Sequence, residues 1–405
     1  MKIKALKGTK DYLPKQAALR EYMEQTILSC YRENGFQRIM TPAIEDIENL
    51  DKSDGGENLN LIFKIMKRGD KLERALAENG ELCDIGLRYD LTLPLTRYFS
   101  ANRAGLELPF KCIQLDKVYR AERPQKGRLR EFVQCDIDII GDGSPDCEAE
   151  LIIVTANALQ RLDIGNFTVK INDRKILNYV LKSCGFTDGQ LASVCITFDK
   201  LDKIGTEGVV AELEEKAFDR VAVEKFKDIL NRLPMSVEAV VEIVGAECTE
   251  KLCGIIRAVT SLSNGKYTIE FDLSLVRGQG YYTGTVFEIC SSKFKGAVAG
   301  GGRYDNLIGK FIGENIPSCG FSIGFERIFE ILSDMERSGR AKKKIAFIYD
   351  DNFAEAYSRA EAIRNEYDVS IFRRPKKMKA FLDRISASGF DGFITEDNLS
   401  VKLFG

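Results

Sequence analysis

The stretch Glu122-Arg123-Pro124-Gln125-Lys126-Gly127-Arg128-Leu129-Arg130, followed after one residue by Phe132-Val133-Gln134-Cys135-Asp136-Ile137-Asp138-Ile139-Ile140, decides the reading of the fold. Side chains two apart share one face of a strand. Val133, Cys135, Ile137 and Ile139 therefore face one way, and Phe132, Gln134, Asp136 and Asp138 the other. Residues from Phe110 onward also read as strand, so the basic stretch sits between two strands. A solvated antiparallel face shows the same alternation, and a charge run is commonly a solvated hairpin tip. The combination is more suggestive. Arg120, Arg123, Lys126, Arg128 and Arg130 crowd one short segment, and the guanidinium group suits two-point contact with phosphate. Behind them, two acids and a glutamine could hold a cationic amine.

Outward from this hairpin, Leu19, Met23, Ile27, Cys30 and Tyr31 recur at helical spacing and predict a helix over 16–34 stopped by Gly35. A short strand, 37–40, runs into Thr41-Pro42, and the polar segment 51–60 reads as a loop. Ser144 and Pro145 begin a helix reaching about Leu162. Residues 185–264 carry Lys, Glu, Leu and Val at helical spacing, broken by Gly205, Gly208 and Pro234. They read as a mostly helical insertion. Strand alternation returns at 267–275. Gly320-Phe321-Ser322-Ile323-Gly324-Phe325-Glu326-Arg327 reads as the opening of an apolar helix, with Gly320, Gly324 and Arg327 on one face. Residues 338–344 read as a basic linker. A strand-helix-strand-helix-strand succession over 345–395 then predicts a small α/β unit with a parallel sheet.

Composition narrows the chemistry. The 405 residues are 44% hydrophobic and 30% charged, with a net charge of −2, which describes a globular chain without a global basic coat. No run of about 18 apolar residues and no apolar leader in 1–10 is present, so a cytoplasmic protein without membrane spans is expected. Eleven cysteines lie scattered from Cys30 to Cys319 without a CxxC pair; they read as reduced thiols, with no protein-bound metal. Histidine is absent altogether. That excludes Ser-His-Asp and Cys-His catalysis and His-ligated metals. Chemistry must rest on Arg, Lys, carboxylates, backbone donors or the substrates.

Two glycine-rich peptides remain, Leu275-Val276-Arg277-Gly278-Gln279-Gly280-Tyr281-Tyr282-Thr283-Gly284 and Ala299-Gly300-Gly301-Gly302-Arg303-Tyr304-Asp305. Glycine admits close approach of the backbone to a ligand, though a tight turn beside a packed aromatic pair would look alike. Neither peptide has P-loop or dinucleotide spacing.

In this order the segments resemble the class II aminoacyl-tRNA synthetases, and specifically the histidyl-tRNA synthetase family, over nearly the whole chain. Lys7 to Pro14, a motif 1-like segment ending in Pro42, Leu87-Arg88-Tyr89-Asp90-Leu91-Thr92, Arg120 to Gly141 as motif 2, and Phe321 to Ile328 as motif 3 carry the likeness. Arg277 to Thr285 and Ala299 to Asp305 resemble the family's two signature peptides. The resemblance implies an α+β catalytic domain on a mostly antiparallel sheet of the class II synthetase type, formed by 1–184 and 265–337. It also implies a helical insertion at 185–264 and a shortened, anticodon-binding-like α/β domain at 345–405.

It further implies that Arg120, Arg277 and Arg327 serve catalysis, with Arg277 at the α-phosphate. Arg120, Glu122, Arg128, Phe132 and Arg327 would bind ATP, accompanied by Mg. Asp90, Thr92, Gln134, Asp138, Arg277, Tyr281 and Tyr282 would bind L-histidine. The implied partners are L-histidine, ATP, tRNA(His) and a second copy of the chain. Gln279-Gly280 departs from the Leu-Asp many members carry there. The alternative is a non-catalytic paralogue, like the regulatory subunit of ATP phosphoribosyltransferase. Such a paralogue generally lacks the C-terminal unit and erodes the ATP-binding motifs, whereas Arg120, Glu122, Arg277 and Arg327 all stand here.

Overall fold

The computed structural model describes residues 3–52, 60–123, 129–276, 281–335 and 342–404. Two compact units are formed, Met1–Lys10 with Thr26–Ile331, and Asp11–Gln25 with Leu332–Gly405. Helix α1 spans Pro14–Glu33. Gly35, at φ +83°, lets the chain reverse after it while the Phe36 N–H closes on the Tyr31 carbonyl.

The first unit continues with β1 (Gln37–Arg38), β2 (Ile44–Asp46), α2 (Ile47–Leu50), β3 (Phe63–Met66), α3 (Asp70–Ala77), β4 (Cys83–Leu87) and α4 (Thr92–Asn102). Strands β2, β4 and β3, in that order, form a small antiparallel sheet. The long hairpin β5 (Phe110–Tyr119) and β6 (Glu131–Ile140) leads to α5 (Asp146–Arg161) and β7 (Phe167–Asp173). Six helices follow: α6 (Arg174–Cys184), α7 (Asp188–Phe198), α8 (Leu201–Glu215), α9 (Arg220–Asn231), α10 (Val237–Val244) and α11 (Ala246–Ser263). The chain then re-enters the sheet as β8 (Thr268–Phe271), followed by β9 (Thr285–Ser291), β10 (Ala297–Arg303), α12 (Gly309–Ile312), β11 (Ser318–Gly324) and α13 (Phe325–Asp334).

The main sheet has eight strands in the order β1-β5-β6-β11-β10-β9-β7-β8. It is antiparallel except at its two ends, where β1 lies parallel to β5 and β8 parallel to β7. The mostly antiparallel sheet expected of the class II type is present. Along β6, Val133, Cys135, Ile137 and Ile139 are buried in the core, and α5 packs on β6 and β11.

Three expectations need correction. Residues 318–324 are a strand and not the start of a helix, which begins only at Phe325. Their glycines and serines recur at a period of two as well as four, and Cys319, Phe321 and Ile323 alternate with them as buried residues. Close contact with β10 decides between the periods: a Cβ on Gly301 would lie 2.0 Å from the Gly320 carbonyl oxygen. The strand expected over 267–275 is confined to β8, because the Asp272 carboxylate accepts the Ser274 N–H and turns the chain. Of the expected linker 338–344, Lys343 and Lys344 already belong to a strand. The Lys344 ammonium lies 4.2 Å from the centroid of the Phe390 ring, so the charge does not exclude sheet pairing.

The second unit carries β12 (Lys343–Tyr349), α14 (Phe353–Ile363), β13 (Tyr367–Arg373), α15 (Met378–Ala387), β14 (Gly392–Thr395) and β15 (Asn398–Leu403). Its sheet order is β13-β12-β14-β15, the first three strands parallel and β15 antiparallel at the edge.

Candidate active site

A cleft of about 600 Å³ lies over the polar face of β6 and its neighbours. Its floor follows from strand register. Gln114, Asp136, Ser322 and Gly300 stand in one row across β5, β6, β11 and β10, and Cys112, Asp138, Gly320 and Gly302 form the next. On β10 and β11 this face therefore carries almost no side-chain bulk, and the cleft occupies the space. Glycine is required at Gly320, where a Cβ would sit 2.0 Å from Asp138 Oδ1.

At the outer end Arg120 follows directly on β5. Its Nε donates to the Tyr89 carbonyl at 3.0 Å, and its guanidinium carbon lies 4.9 Å from the centroid of the Phe132 ring. Glu122, Glu326 and Arg327 face the same region. Glu326 Oε1 accepts the Val133 N–H at 3.2 Å, and Arg327 donates to the Ala297 carbonyl. The result is an aromatic face with two fixed guanidinium groups beside it, suited to an anionic ligand that carries a flat ring.

The inner wall depends on the segment 87–92, which is tied down by Arg88. This buried side chain pairs with Asp116 at 2.8 Å and donates to the carbonyls of Thr41 and Lys117 at 2.7 and 2.9 Å. Gln114 Nε2 also donates to the Leu91 carbonyl at 2.9 Å. Asp90 and Thr92 thereby stand at the start of α4, with Asp90 Oδ1 accepting the Leu93 N–H at 3.2 Å. Tyr281 and Tyr282 close the far side, with ring centroids 4.9 Å apart. Tyr304 donates its hydroxyl to Asp138 Oδ1 at 2.6 Å.

Three acids, Asp90, Asp136 and Asp138, are thus each no more than 5% exposed within one cleft. Burial pushes Asp90 up to about 6, against the Leu93 N–H and Arg120, and pushes Asp138 up to about 7, against the Tyr304 hydroxyl. Burial and then the Asp138 charge raise Asp136 well above the carboxylate range. Asp90 Oδ2, Gln134 Oε1 and Asp136 Oδ1 are buried without hydrogen-bond partners. Buried acceptors left unmade are costly. Such a set is built for a ligand that brings positive charge and several N–H donors.

Of the residues expected to bind histidine, Asp90, Thr92, Gln134, Asp138, Tyr281 and Tyr282 line this cleft. Arg120, Glu122, Phe132 and Arg327, expected at ATP, line it too. Arg128 and Arg277 lie outside the described residues. Asp136, Tyr304 and Ser322 line the cleft without having been assigned roles. The polar alternation of β6 pointed at Asp136; nothing local could have paired Tyr304 with an acid 166 positions away.

A sequence model described as histidyl-tRNA synthetase matches residues 8–328, and with them every residue of the cleft. The chain belongs to the histidyl-tRNA synthetase family. It is 42% identical to a histidine--tRNA ligase of Leifsonia xyli subsp. xyli, over 96% of this chain and 94% of that one. It is 34% identical to the histidine--tRNA ligase of Cytophaga hutchinsonii, with 98% and 93% covered. Among solved structures it resembles the histidyl-tRNA synthetase from Nostoc sp. PCC 7120, with a TM-score of 0.81 at 26% identity, covering 98% of this chain and 92% of that one. A Bacillus halodurans C chain titled as an ATP phosphoribosyltransferase regulatory subunit/histidyl-tRNA synthetase shares the fold, with a TM-score of 0.77 at 20% identity, covering 96% of each chain. Membership makes the chain an aminoacyl-tRNA synthetase, and the non-catalytic alternative is not favoured. No helix of the described residues is long and apolar enough to cross a membrane.

Proposed function

We propose that this cleft activates L-histidine with ATP to histidyl-adenylate and passes the histidyl group to tRNA(His). The observation that carries the residue assignment is the polarity of the cleft, with fixed guanidinium groups on an aromatic face at one end and buried acids at the other. Arg120 and Arg327 hold the phosphates of ATP, which brings Mg with it. Phe132 stacks on the adenine and Glu122 accepts from it. Asp90, Thr92 and Gln134 take the amino-acid backbone groups. Asp138, oriented by Tyr304, accepts an imidazole N–H while Tyr281 and Tyr282 pack beside the ring. Arg128 and Arg277 complete the phosphate contacts in this reading.

The nucleophile of the first step is the substrate carboxylate, already ionised, so a chain without histidine lacks nothing it needs. Catalysis consists of holding carboxylate and α-phosphate in line and stabilising the charge that builds on the phosphate oxygens. In the second step the terminal ribose hydroxyl of the tRNA attacks the carbonyl and releases AMP.

The same reading assigns 1–184 and 265–337 to the catalytic domain and 185–264 to an insertion. It assigns 345–405 to tRNA contact through the basic segment Arg373-Arg374-Pro375-Lys376-Lys377. Met40 and Ile44, 73% and 51% exposed beside β1 and on β2, support a homodimer. The cytoplasm is where such charging takes place.

The acids make histidine binding pH-dependent. Their ionised forms are the ones that accept the substrate's N–H donors, and burial pushes Asp90 up to about 6 and Asp138 up to about 7. Arg120 opposes the upward shift of Asp90, while Asp90 reinforces that of Asp138. The KM for the amino acid should therefore fall as pH rises from about 5.5 to about 8, by up to roughly tenfold per unit for each proton released. With 1,2,4-triazolylalanine, whose ring stays neutral over this interval, the slope belongs to the protein. A flat KM for that analogue would remove the buried acids from substrate binding.

A further inference from the structure

The polar face of β6 carries one acid to which the reading above gives no task. On that reading of the cleft, we propose that Asp136 is a further substrate-binding residue of the amino-acid subsite, its Oδ1 accepting a hydrogen bond from the substrate's α-ammonium group beside Asp90.

The order of residues along the strand points there. Phe132, Gln134, Asp136 and Asp138 follow one another on one face at steps of roughly 6.7 Å. Arg120, over the Phe132 ring, marks the cationic end of the cleft, and Asp138, held by Tyr304, marks the other. In an α-amino acid the carboxylate and the ammonium share the Cα, and the side chain departs from the same carbon. With the carboxylate toward Arg120 and the ring toward Asp138, the ammonium falls over the middle of the strand. Gln134 and Asp136 are the residues there.

The unmade hydrogen bonds agree. One oxygen of Asp136, Oδ2, is 3.5 Å from Gln134 Nε2, and Ser322 stands directly across on β11. The other, Oδ1, is buried and has no partner. The cleft holds two further buried acceptors without partners, Asp90 Oδ2 and Gln134 Oε1. An ammonium group has three N–H donors and accepts nothing. Three such acceptors, two of them on carboxyl groups, match its three donors in number.

A reading in which Asp136 merely stiffens the sheet through Ser322 predicts something different, and a pair of ligands separates the two. Histidinol carries the ammonium and the imidazole; 3-(imidazol-4-yl)propan-1-ol lacks only the ammonium. Binding of each is measured by calorimetry to the parent protein and to Asp136→Asn and Asp136→Ser, with thermal melts of the empty proteins at pH 8. Both variants should melt no lower than the parent, because a buried carboxyl that resists ionisation has been removed. Histidinol should bind roughly 10–100-fold more weakly, while the deamino ligand should change by less than about twofold. Equal losses for both ligands, or no loss for either, would overturn the proposal while leaving the synthetase reading intact. Failure of the parent protein to bind histidinol at all would sink that reading and the proposal together.

Discussion

Replacing Arg120 with alanine should slow formation of the adenylate by roughly 10²–10³-fold, or about 2.7–4 kcal/mol, the loss typical when one preorganised donor is removed from a developing oxyanion. The expectation rests on how the guanidinium is held. Its Nε is engaged by the Tyr89 carbonyl and its plane lies near the Phe132 ring, so the remaining N–H groups are aimed before substrate arrives. A donor fixed in advance favours the transition state more than a mobile one, because it is not reorganised as charge develops. Lysine should rescue only part of the loss, since it keeps the charge and forfeits the planar two-point contact. Single-turnover adenylate formation at saturating ATP and histidine reads the effect. Parent rates with only the ATP affinity altered would assign Arg120 to ground-state binding alone.

The second large effect concerns stability. Glu148 on α5 is fully buried and holds Arg303 through two bonds, Oε1 to Nε at 2.8 Å and Oε2 to the terminal nitrogen at 2.6 Å. Lys251 of α11 approaches Glu148 Oε1 at 3.1 Å, so the helical insertion is fastened to the sheet at the same carboxylate. Burial works against the charge on Glu148, yet Arg303 and Lys251 hold its carboxyl below the ordinary carboxylate value. A depressed value of this kind contributes stability above about pH 4.3 and loses it as pH falls further. Glu148→Ala should cost about 3–5 kcal/mol at neutral pH, because it leaves the Arg303 guanidinium buried without its counter-charge. Glu148→Met combined with Arg303→Met should recover a good part of that. Denaturant unfolding of the singles and the double decides. A single-variant loss below about 1 kcal/mol would show that water or Asp305, 3.2 Å from Arg303, replaces the partner.

Arg303 also links stability to the site. It ends β10, and Tyr304, the next residue, reaches Asp138. Asp305 then accepts the Ser318 N–H at 3.0 Å and donates its own N–H to Thr283 at the same distance. A loosened Arg303 would release the tyrosine that orients Asp138.

Much of this was legible in the sequence because it was local. The alternation of β6 placed Gln134, Asp136 and Asp138 on one face, and Arg120 before it pointed to a cationic end of the cleft. The helix over α1 and the α/β succession of the second unit followed from periodicity alone. What stayed hidden depended on partners far along the chain. Gly320 and Gly324 fit a helix until β10 is set against them, and only then does the absent Cβ explain the choice. The bonds Tyr304–Asp138 and Arg303–Glu148 join residues 166 and 155 positions apart. Edge strand β15 alternates polar and apolar residues over six positions, but nothing local says that it pairs with β14.

The central claim is that this cleft, with Asp138 at its ring end, selects histidine for activation. ATP–pyrophosphate exchange, run with the full chain and each of the twenty amino acids in turn, tests it most directly. A site that hydrogen-bonds its substrate's polar group rejects amino acids lacking that group by large factors, on the order of 10⁴–10⁵. Exchange should therefore be supported by histidine alone. Comparable exchange with another amino acid, or none with any, would contradict the account.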